Sequence, residues 1–273
     1  MLQHQYYFEN DNLQPVTNYQ PTPKSYLQVY EVIRVIEGVP LFLEAHLKRL
    51  EQSLFLAQGQ PWLDTAFLKH AILQLIEANQ TRIGNIKLVL GWNEKTRHRK
   101  FQSFFVPHAY PKAEDYQKGV STDLLFAERT TPNAKIDHTP VRTLANKMIH
   151  NQQLFEVLLV DHDGYITEGS RSNCFLIKKG MLYTAPIHHI LPGITRQQVF
   201  RVCKKLGIPI HEHAIHHEQL TQVDALFITG TSPGVLPIRL VGKRSFSVRF
   251  PLLAEIRNAY EELVQHYIEQ FRG

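Results

Sequence analysis

The run Val29–Ile36 constrains the fold of this chain more than any other segment. It is rich in β-branched residues, which favour extended backbone, and it ends at Glu37-Gly38, a dipeptide typical of turns. The pattern predicts a strand that is followed by a short partner strand at Val39–Leu43. From Glu44 to Ala57 the apolar residues recur at helical spacing, so we expect a helix after the strand pair.

Strands and helices continue to alternate along the rest of the chain, which predicts an α/β or α+β fold. Thr139 and Pro140 have the residue types of an N-cap and a first helical position, and Gly207 is a residue that commonly ends a helix. The further predicted elements are a helix around 67–76, strands at 86–90, 101–106, 122–127, 157–160, 174–177 and 225–229, and helices from 140, at 197–206 and from 251.

A polar stretch between the paired strands and the later elements predicts two domains. Pro107 and Pro111 bracket its start, and it extends to Gly119. Connections of this composition commonly join domains. We therefore predict an N-terminal α/β domain at residues 1–110, a linker at 111–120 and a C-terminal domain at 121–273.

Composition restricts the location and the class of the protein. No apolar run approaches the roughly 20 residues of a membrane span, and the N-terminus lacks the basic start and apolar stretch of a signal peptide. Cys174 and Cys203 cannot form a disulfide framework and lack the spacing of metal ligands. We expect a cytoplasmic protein that binds neither a membrane nor a metal ion.

The basic cluster Lys95–Lys100 has two interpretations. Together with a formal net charge of +5, it is compatible with a phosphate or nucleic-acid contact. Binding of single-stranded nucleic acid would favour aromatic residues among the basic ones, and this cluster contains none. A solvated turn between two strands is the favoured interpretation, and an anionic small substrate is compatible with either.

Three segments have the chemistry of a phosphate site. Arg49 follows one turn into the first helix, where a guanidinium can donate two parallel hydrogen bonds. The run Leu191–Arg196 leads into a helix whose free amides attract anions, and Thr195 adds a hydroxyl. The strand ending at Thr229 continues into a loop rich in glycine and hydroxyl groups. Each segment alone also has a purely structural interpretation: a solvent-facing arginine, a capped helix start and a plain turn.

A fourth segment contains a candidate acid. Asp163-Gly164 is typical of a hairpin turn, and Glu168 is expected to lie just beyond a short strand, beside Gly169. A carboxylate in this place can pair with a protonated ring nitrogen. The structural alternative is an exposed loop glutamate.

Taken in order, the motifs HLKRL, EGSRSN, LPGITR and GTSP across residues 46 to 233 resemble the class IV pyridoxal-phosphate enzymes. This family includes branched-chain aminotransferases, D-amino acid aminotransferases and aminodeoxychorismate lyase. The run YEVIRV at 30–35 is similar to part of the family's N-terminal domain. The resemblance implies fold type IV, with a smaller N-terminal α/β domain, a larger C-terminal domain built on a mixed sheet, pyridoxal 5'-phosphate and a homodimer.

The resemblance also assigns roles to individual residues. The phosphate would be held by two threonines, an arginine and two backbone amides, the ring nitrogen by a carboxylate, and one ring face by a leucine. The two threonines are Thr195 and Thr231, the arginine is Arg49, and the amides are those of Ile194 and Thr195. The carboxylate is that of Glu168, and the leucine is Leu191.

The family requires a lysine that forms a Schiff base, and Lys135 and Lys147 are the candidates. They precede Glu168 by 33 and 21 residues respectively, and the family's gap of about thirty favours Lys135. Lys147 is expected to be solvated on a predicted helix whose buried stripe is Val141, Leu144, Ala145 and Met148. The chain departs from the family pattern at Ile136-Asp137-His138, after the lysine. It departs again at Lys24–Gln28, in a region that shapes the substrate pocket in relatives.

These observations favour a transaminase that moves an amino group between an amino acid and a 2-keto acid. The first alternative is a lyase of the aminodeoxychorismate type, and the second is a non-catalytic basic nucleic-acid-binding protein. The substrate side chain and the choice between L and D substrates stay open. The candidate substrate contacts are Tyr26, Arg34, Arg97 and Ser232.

Overall fold

The computed structural model describes residues 4–136 and 140–273. The described residues divide into two compact units. The first contains residues 4–109, 134–136 and 265–273, and the second contains 110–133 and 140–264. Residues 111–120, which we predict to be a linker, include a short helix and the first residue of a strand. Their role as a linker stays a prediction.

Among the described residues, the first unit has a six-stranded antiparallel sheet in the order β2-β1-β6-β5-β3-β4 and two complete helices. Its strands are β1 (Tyr6–Glu9), β2 (Asn12–Pro15), β3 (Leu27–Ile36), β4 (Val39–Pro40), β5 (Ile83–Trp92) and β6 (Arg99–Val106), and its helices are α1 (Leu43–Leu56) and α2 (Thr65–Ala78).

The predicted strand and helix at the start of the chain are confirmed as β3 and α1. The predicted length of the partner strand is wrong, because β4 ends at Pro40 and α1 already begins at Leu43. Phe42 adopts a left-handed backbone conformation with φ 52°, which turns the chain out of the strand and into the helix.

Alternation along β3 determines which residues meet α1. Val29, Glu31, Ile33 and Val35 are buried, whereas the residues between them are half-buried. The apolar members of this face form one core with Leu50 and other apolar residues of α1 and α2. A single acidic residue, Glu31, therefore lies on an otherwise apolar face.

The second unit has a mixed sheet, as the resemblance implies. Over the described residues its main order is β12-β11-β10-β14-β15-β7-β8-β9-β13, with β16 paired to β15. The pairs β7–β8, β7–β15 and β11–β12 are parallel and the others are antiparallel. Its strands are β7 (Val120–Phe126), β8 (Glu156–Val160), β9 (Tyr165–Gly169), β10 (Asn173–Lys178), β11 (Met181–Thr184), β12 (Ile210–Glu212), β13 (Ile215–His216), β14 (Ala225–Gly230), β15 (Gly234–Val241) and β16 (Arg244–Ser245).

The strand β9 also pairs with β10, where Glu168 lies opposite Asn173. The strands β9, β10, β14, β15, β7 and β8 therefore form a closed ring. The remaining helices are α3 (Ala113–Lys118), α4 (Pro140–Gln152), α5 (Ile194–Leu206) and α6 (Pro251–Arg272), of which α6 has its last residues in the first unit.

Two predicted helix ends and one predicted stripe have clear outcomes. Helix α5 ends before Gly207, whose φ of 72° confirms the predicted C-terminal signal. Helix α4 begins at Pro140, and its predicted N-cap Thr139 lies outside the described residues. The predicted buried stripe of α4 is wrong at Leu144, which is 53% exposed, whereas Ala145 is buried. Along the described chain, no helix combines the length and the apolar character that crossing a membrane requires.

A tyrosine near the C-terminus, Tyr267, forms a hydrogen bond with the first residue of helix α1. The hydroxyl of Tyr267 accepts from the Leu43 amide at 3.1 Å and donates to the Glu44 carboxylate at 3.0 Å. Phe42, at the N-cap position, provides no side-chain hydrogen bond. Tyr267 therefore satisfies one of the amides that a helix start leaves without a partner.

We predict that Tyr267→Phe lowers the free energy of unfolding by about 1 kcal/mol, because the Leu43 amide loses its acceptor while the ring contact with Phe42 is retained. Urea unfolding followed by circular dichroism measures the change. Tyr165→Phe, at a partly exposed tyrosine, is the control and is expected to leave the midpoint unchanged. Equal midpoints for Tyr267→Phe and the wild type would contradict this role.

Candidate active site

The candidate residues fall into two groups, one in each unit. Those of the first unit are Arg49, Lys135, Tyr26, Arg34 and Arg97. Those of the second unit are Glu168, Leu191, Ile194, Thr195, Thr231 and Ser232.

Arg49 is buried rather than solvent-facing, so the structural alternative for this residue is wrong. Its Nε lies 2.6 Å from Glu31 Oε1, and its Nη2 lies 2.7 Å from Glu31 Oε2. His46 Nδ1 lies 2.7 Å from the same Oε2, and it donates because a carboxylate only accepts. His46 and Arg49 are three residues apart on α1, so both reach the one carboxylate of β3.

The charges of this buried group are matched. Burial alone would raise the pKa of Glu31, but the charge of Arg49 and hydrogen bonds from Arg49 and His46 outweigh it and hold the pKa far below its usual range. Burial lowers the pKa of His46, against the opposing effect of Glu31, so the imidazole is neutral at pH 7. The group therefore contains one cation and one anion in a fixed geometry.

Lys135 lies in a short segment that runs along β3. The Tyr30 amide donates to the Lys135 carbonyl at 3.1 Å, and the Lys135 amide donates to Ser53 Oγ at 3.2 Å. An antiparallel bridge joins Val29 to Ile136. The Lys135 Nζ lies 4.8 Å from the centroid of the Tyr30 ring. The backbone of this lysine is thus held by both β3 and α1.

The other candidate lysine has a different environment. Lys147 is exposed on α4 in the second unit, as the sequence predicts. Its surroundings are those of a solvated helix residue.

The structure places the remaining candidates of the first unit in different settings. Tyr26 is half-buried just before β3, and Arg34 is half-buried on the face of β3 opposite to Glu31. Arg97 is exposed, with φ 58°, in the turn between β5 and β6. Residues 95–98 of the basic cluster form an exposed hairpin turn, as favoured above, whereas Arg99 and Lys100 begin β6 and Lys100 Nζ lies 3.2 Å from the Glu9 carboxylate. Contact between Tyr26, Arg34 or Arg97 and a substrate stays a prediction.

Glu168 is buried within β9, so the alternative of an exposed loop glutamate is wrong. Its expected position just beyond the strand is also wrong, because β9 continues to Gly169. Its Oε2 accepts from the Leu191 amide at 3.1 Å and from Asn173 Nδ2 at 3.3 Å. The Nε of Arg129 lies 2.7 Å from its Oε1. Sequence reasoning missed Arg129 and Asn173, although Asn173 belongs to the EGSRSN motif.

The start of α5 is shaped for close contact. Gly193 occupies the N-cap position without a side-chain hydrogen bond, and Ile194 and Thr195 are buried in the first turn. Thr195 therefore lies inside the helix. The structural alternative, in which Thr195 is the N-cap, is wrong. A Cβ atom at Gly193 would lie 1.9 Å from Asn173 Oδ1. Asn173 also donates to the Leu191 carbonyl at 2.9 Å, so it joins Glu168 to this helix start.

Thr231 and Ser232 lie in the turn between β14 and β15, where Gly230 pairs with Gly234. Both side chains are half-buried. The Pro233 carbonyl accepts from the Tyr116 hydroxyl at 2.9 Å, which ties the turn to α3. The hydroxyl-rich loop is therefore a tight hairpin after a buried strand.

A second buried carboxylate orders the loop between β9 and β10. Glu156 accepts from Ser170 Oγ at 2.6 Å, from Ser172 Oγ at 3.0 Å and from the Arg171 amide at 3.0 Å. This loop follows Glu168 directly in the chain. The position of Glu168 is thus determined on both sides, by β9 and by the ordered loop.

Comparison with known proteins identifies the family. Residues 28–241 match the model of the family described as amino-transferase class IV. The chain belongs to this family. A D-alanine aminotransferase of Bacillus licheniformis is 30% identical over 226 residues, which are 77% of each chain. A probable branched-chain-amino-acid aminotransferase of Thermotoga maritima is 33% identical over 167 residues, 58% of this chain and 60% of that one.

Solved structures of the family share the fold. The branched-chain aminotransferase of Thermoproteus uzoniensis, in a structure with norvaline, superposes with a TM-score of 0.86 at 22% identity, over 98% of this chain and 97% of that chain. The expected fold type IV is confirmed. Membership of this enzyme family does not support the alternative of a non-catalytic nucleic-acid-binding protein.

A second solved structure contains a derivative of the cofactor. It is a branched-chain amino acid aminotransferase complexed with N-(5'-phosphopyridoxyl)-L-glutamate, and it superposes with a TM-score of 0.87 at 22% identity, over 98% of this chain and 96% of that chain.

Class IV aminotransferases depend on pyridoxal phosphate, and the residues of the second unit fit this cofactor. The buried start of α5 offers amides to an anion without a side-chain cap at Gly193, and the contact between Gly193 and Asn173 leaves no room for a Cβ. Glu168 offers an ionised acceptor of the kind that a protonated ring nitrogen needs. The donor set therefore matches both polar ends of the cofactor.

We predict that Glu31→Gln lowers the free energy of unfolding by about 3–5 kcal/mol at pH 7, because the buried charge of Arg49 loses its counter-charge. The folded-state pKa of Glu31 is depressed. Its contribution is therefore fully present above the unfolded value of about 4.3 and is lost as the pH falls below it. Urea unfolding from pH 7 to pH 3 is expected to show the gap between wild type and variant narrowing. If the difference in free energy of unfolding between wild type and Glu31→Gln does not change with pH, the ion pair of Glu31 with Arg49 does not have this role.

We predict that Gly193→Ala weakens pyridoxal phosphate binding at least about tenfold, because the added Cβ displaces Asn173 and with it the start of α5. Fluorescence or absorbance titration of the cofactor-free protein measures the dissociation constant. Circular dichroism checks that the fold is retained. Unchanged affinity in a folded variant would show that the close approach is not needed.

Proposed function

We propose that this protein is a pyridoxal-phosphate-dependent transaminase that moves an amino group between an amino acid and a 2-keto acid. The observation that carries the proposal is Glu168, a buried carboxylate held by Leu191, Asn173 and Arg129 and joined through Asn173 to the start of α5. Family membership and the similarity to a D-alanine aminotransferase support the same reaction class.

In this proposal the phosphate is bound by Arg49, Thr231 and the first turn of α5, with the amides of Ile194 and Thr195 and the Thr195 hydroxyl as donors. Helix starts favour phosphate for this reason. Leu191 packs on one ring face. Glu168 would accept a hydrogen bond from the protonated ring nitrogen and so keep the ring positively charged.

Lys135 has two roles in the proposal. It would bind the cofactor covalently and, after the amino group of the substrate has replaced it there, the released amine would act as the general base that takes the proton from the amino acid Cα. When bound, the cofactor supplies an electron sink for the resulting carbanion. The contacts of Lys135 with Tyr30 and Ser53 hold its backbone in place, so the side chain carries the proton without displacement of the main chain.

The substrate is an amino acid whose side chain and configuration are open to assay. The relatives named above are a D-alanine and a branched-chain aminotransferase, so D-alanine and L-leucine are the first substrates to compare. Tyr26, Arg34, Arg97 and Ser232 are the proposed substrate contacts. A homodimer in the cytoplasm completes the proposal, and sedimentation velocity measures the dimer.

We predict that Lys135→Ala lowers the rate of amino transfer by at least roughly 10²–10⁴-fold and abolishes the visible absorbance band of the bound cofactor, because the variant lacks both the covalent link and the base. The rate is measured with 2-oxoglutarate as acceptor and each amino acid as donor. Lys147→Ala is the matched control and is expected to retain both properties.

A band and a rate that survive in Lys135→Ala would contradict the choice of lysine. Release of pyruvate from aminodeoxychorismate without any keto-acid requirement would favour the lyase instead. Wild-type protein that shows neither a band nor either activity would contradict the proposed function itself.

A further inference from the structure

We propose that Arg129 is a positioning residue that keeps Glu168 ionised and directs its carboxylate, so that Glu168 can hold the protonated ring nitrogen. This inference rests on the proposed function for the role of Glu168. The underlying ion pair is a property of the chain alone and is testable without the cofactor.

The first step is the ion pair itself. The Nε of Arg129 lies 2.7 Å from Oε1 of Glu168, with 16% of the arginine side chain and 3% of the glutamate side chain exposed. A guanidinium keeps its charge at any working pH. Burial disfavours an ionised carboxyl, and a cation at this distance reverses that preference. Arg129 therefore favours the ionised form of Glu168.

The second step concerns the other groups that face Glu168. Leu191 and Asn173 donate to Oε2, which is the oxygen remote from Arg129. Arg196 on α5 also attracts Glu168, but its Nη2 lies 2.8 Å from the Glu212 carboxylate. The guanidinium of Arg129 is a cation at ion-pair distance from Oε1. The two carboxylate oxygens thus have different surroundings, a cation beside Oε1 and two hydrogen-bond donors at Oε2, which orients the carboxylate plane.

The third step is that Arg129 has an anchor other than Glu168. Its Nη2 donates to the Ser170 carbonyl at 2.7 Å. Arg142 donates to the same carbonyl through Nη1, also at 2.7 Å. Glu156 holds the side chain of Ser170. The ordered loop therefore fixes the position of the Arg129 guanidinium, and so the position of the positive charge beside Glu168.

This arrangement provides a matched control within the chain. Arg129 and Arg142 bind one carbonyl at equal distance, and Arg129 Nε lies 2.7 Å from Glu168 Oε1. Loss of either arginine removes a hydrogen bond from the loop. Loss of Arg129 also removes the charge of this ion pair, whereas Arg129→Lys keeps a charge, so comparison of the variants separates a structural effect from an electrostatic one.

The experiment compares wild type, Arg129→Met, Arg129→Lys and Arg142→Met in the full chain. Carbon-13 NMR of the glutamate carboxyls, with Glu168→Gln to assign the resonance, follows the titration of Glu168 without cofactor. Nitrogen-15 NMR of bound ring-labelled pyridoxal phosphate follows the protonation of the ring nitrogen. Neither measurement depends on activity.

We expect Arg129→Met to raise the titration midpoint of Glu168 by about 1–3 pH units and to lower the pH at which the ring nitrogen loses its proton. Arg142→Met, which leaves the Arg129 ion pair in place, and Arg129→Lys, which keeps a charge, are each expected to change both less than Arg129→Met. If Arg129→Met titrates Glu168 at the wild-type midpoint, or differs from Arg129→Lys in neither spectrum, the inference is overturned. If wild type binds no cofactor, the proposed function fails, while the carbon-13 titration still tests the ion pair.

Discussion

A buried carboxylate must find donors within the protein, and this requirement organises both units of the chain. Glu31, Glu156 and Glu168 are exposed by 0%, 3% and 2% respectively. Removing such groups from water costs more than most single contacts return, so each must be matched by charges or hydrogen bonds. The donors come from segments distant in the chain, and each carboxylate therefore joins elements that the backbone alone does not join.

The consequences differ between the three carboxylates. Glu31 ties β3 to α1 and fixes the direction of Arg49. Glu156 orders the loop after β9 through two serines. Glu168 connects β9 with β10 and with the residue before α5. Groups that are held in this way need little rearrangement when a charged ligand arrives, which is the physical meaning of a preorganised site.

The sequence predicts the local parts of this arrangement and not the pairings. The β-branched run of β3, the N-terminal proline of α4 and the C-terminal glycine of α5 are confirmed because each acts through its own backbone. Arg129 precedes Glu168 by 39 residues, and nothing local marks it as a partner. The register that brings Asn173 opposite Glu168 likewise exists only in the folded sheet. The strand β15 lies between β14 and β7 and contains Pro237, a residue that argues against a central strand. Leu144 is exposed despite its helical spacing.

Most candidate residues are predicted from motifs whose chemistry is local, namely a helix start, a hairpin turn and a lysine at a set distance from an acid.

The most direct test of the proposed function is to identify the lysine that carries the cofactor. Protein incubated with pyridoxal phosphate is reduced with borohydride and digested, and the peptides are sequenced by mass spectrometry. We predict that the added phosphopyridoxyl mass lies on Lys135. Modification confined to Lys147 or to other exposed lysines would contradict it.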